Sequence, residues 1–119
     1  VSDFAGQFKS LADTLSGAAK GVLGKLDQWS FRMLVNNLKE SDYDVVKEAI
    51  DQLVKERKPL SIPPLYFVSK MHPNNYARDL AAKALKEFGQ DAEIETITRG
   101  KSAEDATKAL IDKYGNYRS

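Results

Sequence analysis

The residues able to do acid–base, nucleophilic or metal chemistry are few. His72 is the single histidine of the chain, and a free imidazole titrates near about pH 6.5, inside the working range of most enzymes. It lies in a turn just before Pro73, a setting that predicts a partly exposed turn residue rather than a poised base. One imidazole excludes any site that needs two. The absence of cysteine excludes disulfides, thiol nucleophiles and zinc–thiolate centres. Asp42 with Asp44, and Glu93 with Glu95, are carboxylate pairs of the sort that hold hard cations. Neither is followed by the glycine and distant glutamate of a calcium loop, so helix capping and solvation are their expected roles. No glycine-rich phosphate loop or Gly-x-Ser-x-Gly elbow is present. Lys55, Arg57 and Lys58 cluster where a helix should end, and the helix dipole accounts for them without a ligand. No catalytic, metal or cofactor-binding residue is assigned, and the chain is expected not to be an enzyme.

Composition points the same way. The 119 residues are 42% hydrophobic and 29% charged, enough for one soluble domain with a sizeable core. The formal charge is +1, with nine basic and nine acidic residues in positions 1–60 and nine and eight in 61–119. A nucleic-acid binder usually carries a basic domain or stripe, so that class is disfavoured. No apolar run approaches the length of a membrane span, and no basic and apolar leader opens the sequence. A cytoplasmic location is the expectation.

Helical periodicity runs through most of the chain. Phe4, Phe8, Leu11, Leu15 and Val22 form one face of a first helix, over 1–24, that should fray or end near Gly21 to Gly24. A second helix is predicted from Asp27 to Lys39. A third, capped by Asp42, should run to about Arg57 with Val46, Ala49, Ile50 and Leu53 buried and Lys47, Asp51 and Lys55 outward. Pro63 and Pro64 fit only in a first helical turn, so a fourth helix starts there and ends by Met71 ahead of Pro73. The fifth carries Tyr76, Ala77, Leu80, Ala81, Ala84, Leu85 and Phe88 along one side and stops at Gly89. The segment from Asp91 to Arg99 reads as a short helix, with an extended segment as the alternative. Ser102 opens a last helix to Gly115, and 116–119 should be a loose tail. Trp29, Phe31, Tyr66, Phe67, Tyr76 and Phe88 are expected mostly in the core, with the hydroxyls of Tyr66 and Tyr76 able to reach the surface.

Short links make consecutive helices antiparallel neighbours, so the chain divides into hairpins at 27–57, 61–89 and, incompletely, 91–115. Ile62-Pro63-Pro64-Leu65 opens the second of these and Ala81, Ala82, Ala84, Leu85 and Gly89 close it, while Asp42, Asp44, Val45, Ala49 and Leu53 mark the first. These residues resemble the HEAT-like repeats named after phycobilisome lyases. The resemblance implies an all-α fold, a short right-handed α-α superhelix of stacked hairpins about 32 residues apart, with the first helix as a cap over the first hairpin. One hairpin cannot bury its apolar stripe alone, whereas stacked neighbours share a core.

Such a stack exposes a face built from successive second helices, and the leading expectation is a protein-binding or scaffold module. Lys47, Asp51, Arg78 and Lys86 are its candidate partner-binding residues. An accessory role beside an enzyme of the phycobilin-lyase kind is implied by the family resemblance, and nucleic-acid binding is a further alternative. No cofactor is expected, and the chain is expected to be a monomer or weak homodimer.

Overall fold

Capping residues set most helix boundaries in the computed structural model, which describes residues 4–19 and 25–115. The elements are α1 (Phe4–Ala19), α2 (Lys25–Asn37), α3 (Tyr43–Glu56), a 3-10 turn (Pro59–Ser61), α4 (Ile62–Met71), α5 (Asn75–Lys86), α6 (Asp91–Thr98) and α7 (Ala103–Tyr114), with no strand among the described residues. The fold is all-α. The expected end of the first helix near Gly21 to Gly24 and the tail at 116–119 lie outside the described residues. Asp42 Oδ1 accepts the Asp44 amide at 2.9 Å, Asn74 Oδ1 accepts those of Tyr76 and Ala77 at 2.8 and 3.2 Å, and Ser102 Oγ accepts that of Asp105 at 3.1 Å. Each contact satisfies an amide that the helix itself leaves unpaired. The connector after α3 is itself wound into the 3-10 turn, which runs straight into the Pro63 and Pro64 turn of α4.

The segment from Asp91 is a helix rather than an extended segment. Its β-branched threonines are accommodated because Thr96 and Thr98 turn their hydroxyls back on the carbonyls of Ala92 and Ile94, at 2.9 and 2.8 Å. Asp91 and Glu93 in the first turn favour the same outcome through the helix dipole.

Helix α4 organises the core. Every residue from Ile62 to Val68 is buried, so this helix has no solvent face over that stretch. It packs against α5, α7 and α1. Ala77, Ala81 and Ala84 on the inner face of α5 keep its backbone close to its neighbours. From α1, the Phe4 ring stacks on Phe67 at 5.7 Å between centroids, and Phe8 lies 6.2 Å from the same ring. Burying each such side chain is worth roughly 1.5–3 kcal/mol.

Two features differ from an open row of hairpins. The first helix reaches beyond the first hairpin, packing on α2 and also on α4 and α7. Helix α7 lies mainly on α4 and α6, not beside α5 as a third second-helix would. An all-round apolar α4 requires cover on every side, and α1 and α7 provide it. The Cα radius of gyration, 12.8 Å, is close to the ~13.5 Å expected of a globular chain this long.

Candidate functional site

Helices α3 and α5 lie side by side and point the same way. At their N-terminal ends Tyr43 and Tyr76 meet edge to face, 6.1 Å apart. At their C-terminal ends the Arg57 guanidinium approaches Glu87 to 3.5 Å. A helix of 14 residues is about 21 Å long, so the two contacts bracket a groove of about that length. Its C-terminal part holds an open volume of about 210 Å³, with Ile50, Val54, Leu80 and Ala84 below and Asp51, Lys83 and Glu87 at the edge.

The four residues predicted from sequence separate into different roles. Lys47 and Asp51 form an i, i+4 ion pair at 2.9 Å on α3, and Asp51 lines the groove. The hydrogen bond from Lys47 to Asp51, then the carboxylate charge, raises the ammonium pKa above its ordinary value. Arg78 does not reach the groove: Nη1 donates to the His72 carbonyl at 2.6 Å and braces the turn before α5. Lys86 is exposed in the last turn of α5 and does not line the groove. Leu80, Lys83 and Glu87 were missed. Their signal is the spacing Tyr76, Leu80, Lys83, Glu87, the stripe left outward once Ala77, Ala81 and Ala84 face the core.

His72 is not a partly exposed turn residue. It is only 1% exposed and sits edge-on to the Phe4 ring at 4.9 Å. The Asn74 amide donates to Nδ1 at 3.0 Å, so Nδ1 carries a lone pair and the proton belongs to Nε2, which lies 3.0 Å from the Glu40 carbonyl. Both ring nitrogens are thus used by the fold. Burial pushes the imidazole pKa below 6.5 and the nearby Arg78 charge pushes it further, against a smaller lift from the Glu40 carbonyl.

The aromatic expectation also needs correction. Phe31, Tyr66 and Phe67 are core, and Phe88 is partly buried against it. Trp29 is 64% exposed and Tyr76 is 68% exposed. Phe31 and Val35 define the buried side of α2, and Trp29 with Met33 falls on the opposite side.

A larger cleft, about 590 Å³, opens where the 3-10 turn, the end of α5, α6 and α7 converge. Pro59, Ile62 and Phe88 contribute its apolar surface, and Arg57, Glu87, Glu93 and Lys113 its charges. Tyr114 is 4% exposed and its hydroxyl donates to Glu93 Oε1. Burial, and then that bond to a carboxylate, push the phenol pKa far above its usual value, so the proton stays on oxygen. Arg57 enters this region in the left-handed conformation, φ 50° and ψ 40°, with its amide closing α3 on the Leu53 carbonyl. Among the described residues no three His, Asp or Glu side chains are grouped to hold a metal ion. No helix among them is long and apolar enough to cross a membrane.

No family model, no curated protein and no solved structure matches the chain.

Proposed function

We propose that this chain is a non-enzymatic protein-binding module that holds an amphipathic helix of a partner protein along the α3–α5 groove. The observation that carries this reading is the parallel pairing of α3 and α5 over an apolar floor with charges at the edge. Two helices side by side leave a furrow into which a third can lay its apolar stripe, with anchors at i, i+3 or i+4 and i+7. Asp51, Lys83 and Glu87 set charges of both signs at the edge of that floor, with Lys47 paired to Asp51, so orientation would come from paired charges and affinity from shape. The reading treats α2–α3 and α4–α5 as two copies of a HEAT-like hairpin. The 32-residue offset between Glu40 and His72, joined turn to turn, supports it.

The test is a triple charge change at the exposed edge, Lys47→Glu, Asp51→Lys and Lys83→Glu. These side chains make no core contact, so the thermal melt should be nearly unchanged. A partner retained by the unaltered protein at physiological salt should be lost. Retention of the same partner by the altered chain overturns the reading. The free chain is proposed to be a monomer or weak dimer, and light scattering showing a large defined assembly would contradict that.

A further inference from the structure

From the cleft bounded by the 3-10 turn, the end of α5, α6 and α7, we infer that the protein has a second binding site. Its ligand is a small zwitterion with an apolar body, an apolar amino acid or a short peptide of such residues. Three features of the lining lead to this class of ligand. The charges balance, with Arg57 and Lys113 against Glu87 and Glu93, so a ligand carrying one sign alone would meet as much repulsion as attraction. They are also unequally engaged. Glu93 is held in place by the hydroxyl of the buried Tyr114, which presents a positioned carboxylate to an ammonium group. Lys113 has no ion-pair partner among the described residues, which leaves it available to a carboxylate. The Arg57–Glu87 pair beside them is exposed and spans 3.5 Å, loose enough for both groups to turn toward a ligand.

Between these charges Phe88, Ile62 and Pro59 give an apolar wall against which an aromatic or branched side chain can pack. A volume of about 590 Å³ lies within the usual range for small-molecule sites, about 300–1,000 Å³, and leaves room for more than one residue. The chemistry is non-covalent: no bond forms or breaks. The apolar floor of this site is separate from that of the α3–α5 groove, and the two share Glu87 at their edges.

The experiment is an amide NMR and calorimetric titration of the full chain with four probes. These are L-phenylalanine, the dipeptide Leu-Phe, N-acetyl-L-phenylalanine without the ammonium, and L-phenylalanine amide without the carboxylate. The two zwitterions should bind and shift amide signals around Phe88, Gln90 and Lys113, and whichever binds more tightly identifies free amino acid or peptide as the source. Each control should bind about tenfold more weakly, which is the loss of one charge-assisted contact. Lys113→Met should weaken phenylalanine about tenfold and remove the preference for a free carboxylate. Glu93→Gln should remove the preference for a free ammonium. Failure of both zwitterions to bind overturns the proposal. So does binding of either control as tight as that of the amino acid, or Lys113→Met leaving the affinity unchanged with the melt intact.

Discussion

The imidazole Nε2 of His72 donates to the Glu40 carbonyl at 3.0 Å, tying the turn before α5 to the turn before α3. The tautomer is set from the other side of the ring, where the Asn74 amide donates to Nδ1. Protonating Nδ1 would break that second bond and place a charge in a buried site close to Arg78. The folded-state pKa is therefore depressed, and the unfolded chain binds the proton more readily. The stability His72 contributes is complete above the unfolded value of 6.5 and is lost as pH falls from there through the folded pKa. The slope from this group can reach at most about 1.4 kcal/mol per pH unit. His72→Gln should remove that part of the slope. The chain has one histidine, so its ring proton signals report the titration without assignment. A midpoint at or above 6.5 in the folded protein would contradict the buried neutral ring.

Arg57 closes α3 in a conformation that glycine adopts without strain. Releasing a left-handed non-glycine residue is worth about 1–2 kcal/mol, and the extra freedom of glycine in the unfolded chain takes back about 0.5–1 kcal/mol. The exposed ion pair with Glu87 adds little. Arg57→Gly should leave stability unchanged or raise it by about 0.5 kcal/mol. Denaturant unfolding would show it, and a loss of more than about 1 kcal/mol would mean that the guanidinium supports the fold.

Ser61 is 1% exposed, and among the described residues its Oγ is the buried side-chain polar atom without a hydrogen-bond partner. Removing an unsatisfied hydroxyl relieves a desolvation cost instead of breaking a bond. Ser61→Ala is therefore expected to be neutral or stabilising by up to about 1 kcal/mol. A clearly lower melting temperature would show the hydroxyl to be in use.

If α4 is the centre of the core, truncating it should far outweigh truncating the largest exposed side chain. Phe67→Ala, which empties the space beside Phe4 and Phe8, should cost about 3–5 kcal/mol. Trp29→Ala should cost no more than about 0.5 kcal/mol. Comparable losses from the two, measured by chemical denaturation, would argue for a different packing around α4.

Local signals made most helix boundaries readable in advance. Asp42, Pro63 with Pro64, Gly89 and Ser102 act within a few residues of themselves, and their neighbours in sequence are their neighbours in space. Gly89, for example, takes the positive φ of 69° that its place after α5 suggested. What sequence periodicity did not reveal depends on distant partners. His72 looked like a surface residue because it is polar and precedes a proline, yet both of its hydrogen bonds are to backbone groups that periodicity does not register. The burial of α4 had a visible sign, the unbroken apolar run from Ile62 to Val68, which leaves no side for solvent and argues against a simple two-layer row. For the groove, the sequence placed Lys47 and Asp51 on the outer face of α3. It did not show that Arg78 would be taken up by a carbonyl, because that depends on the turn geometry around His72.

The groove itself is tested most directly by site-specific photocrosslinking. A photoreactive residue placed at Leu80, between α3 and α5, and a second placed at Trp29 on the outer side of α2, would be expressed in the native host, with both variants checked for an unchanged melt. The expected result is one discrete adduct from position 80, mapping to an amphipathic helical segment of the partner, absent from position 29 and abolished by the charge changes at Lys47, Asp51 and Lys83. An adduct that forms equally from position 29, or that survives those charge changes, or no adduct from position 80 at all, would contradict docking along α3 and α5.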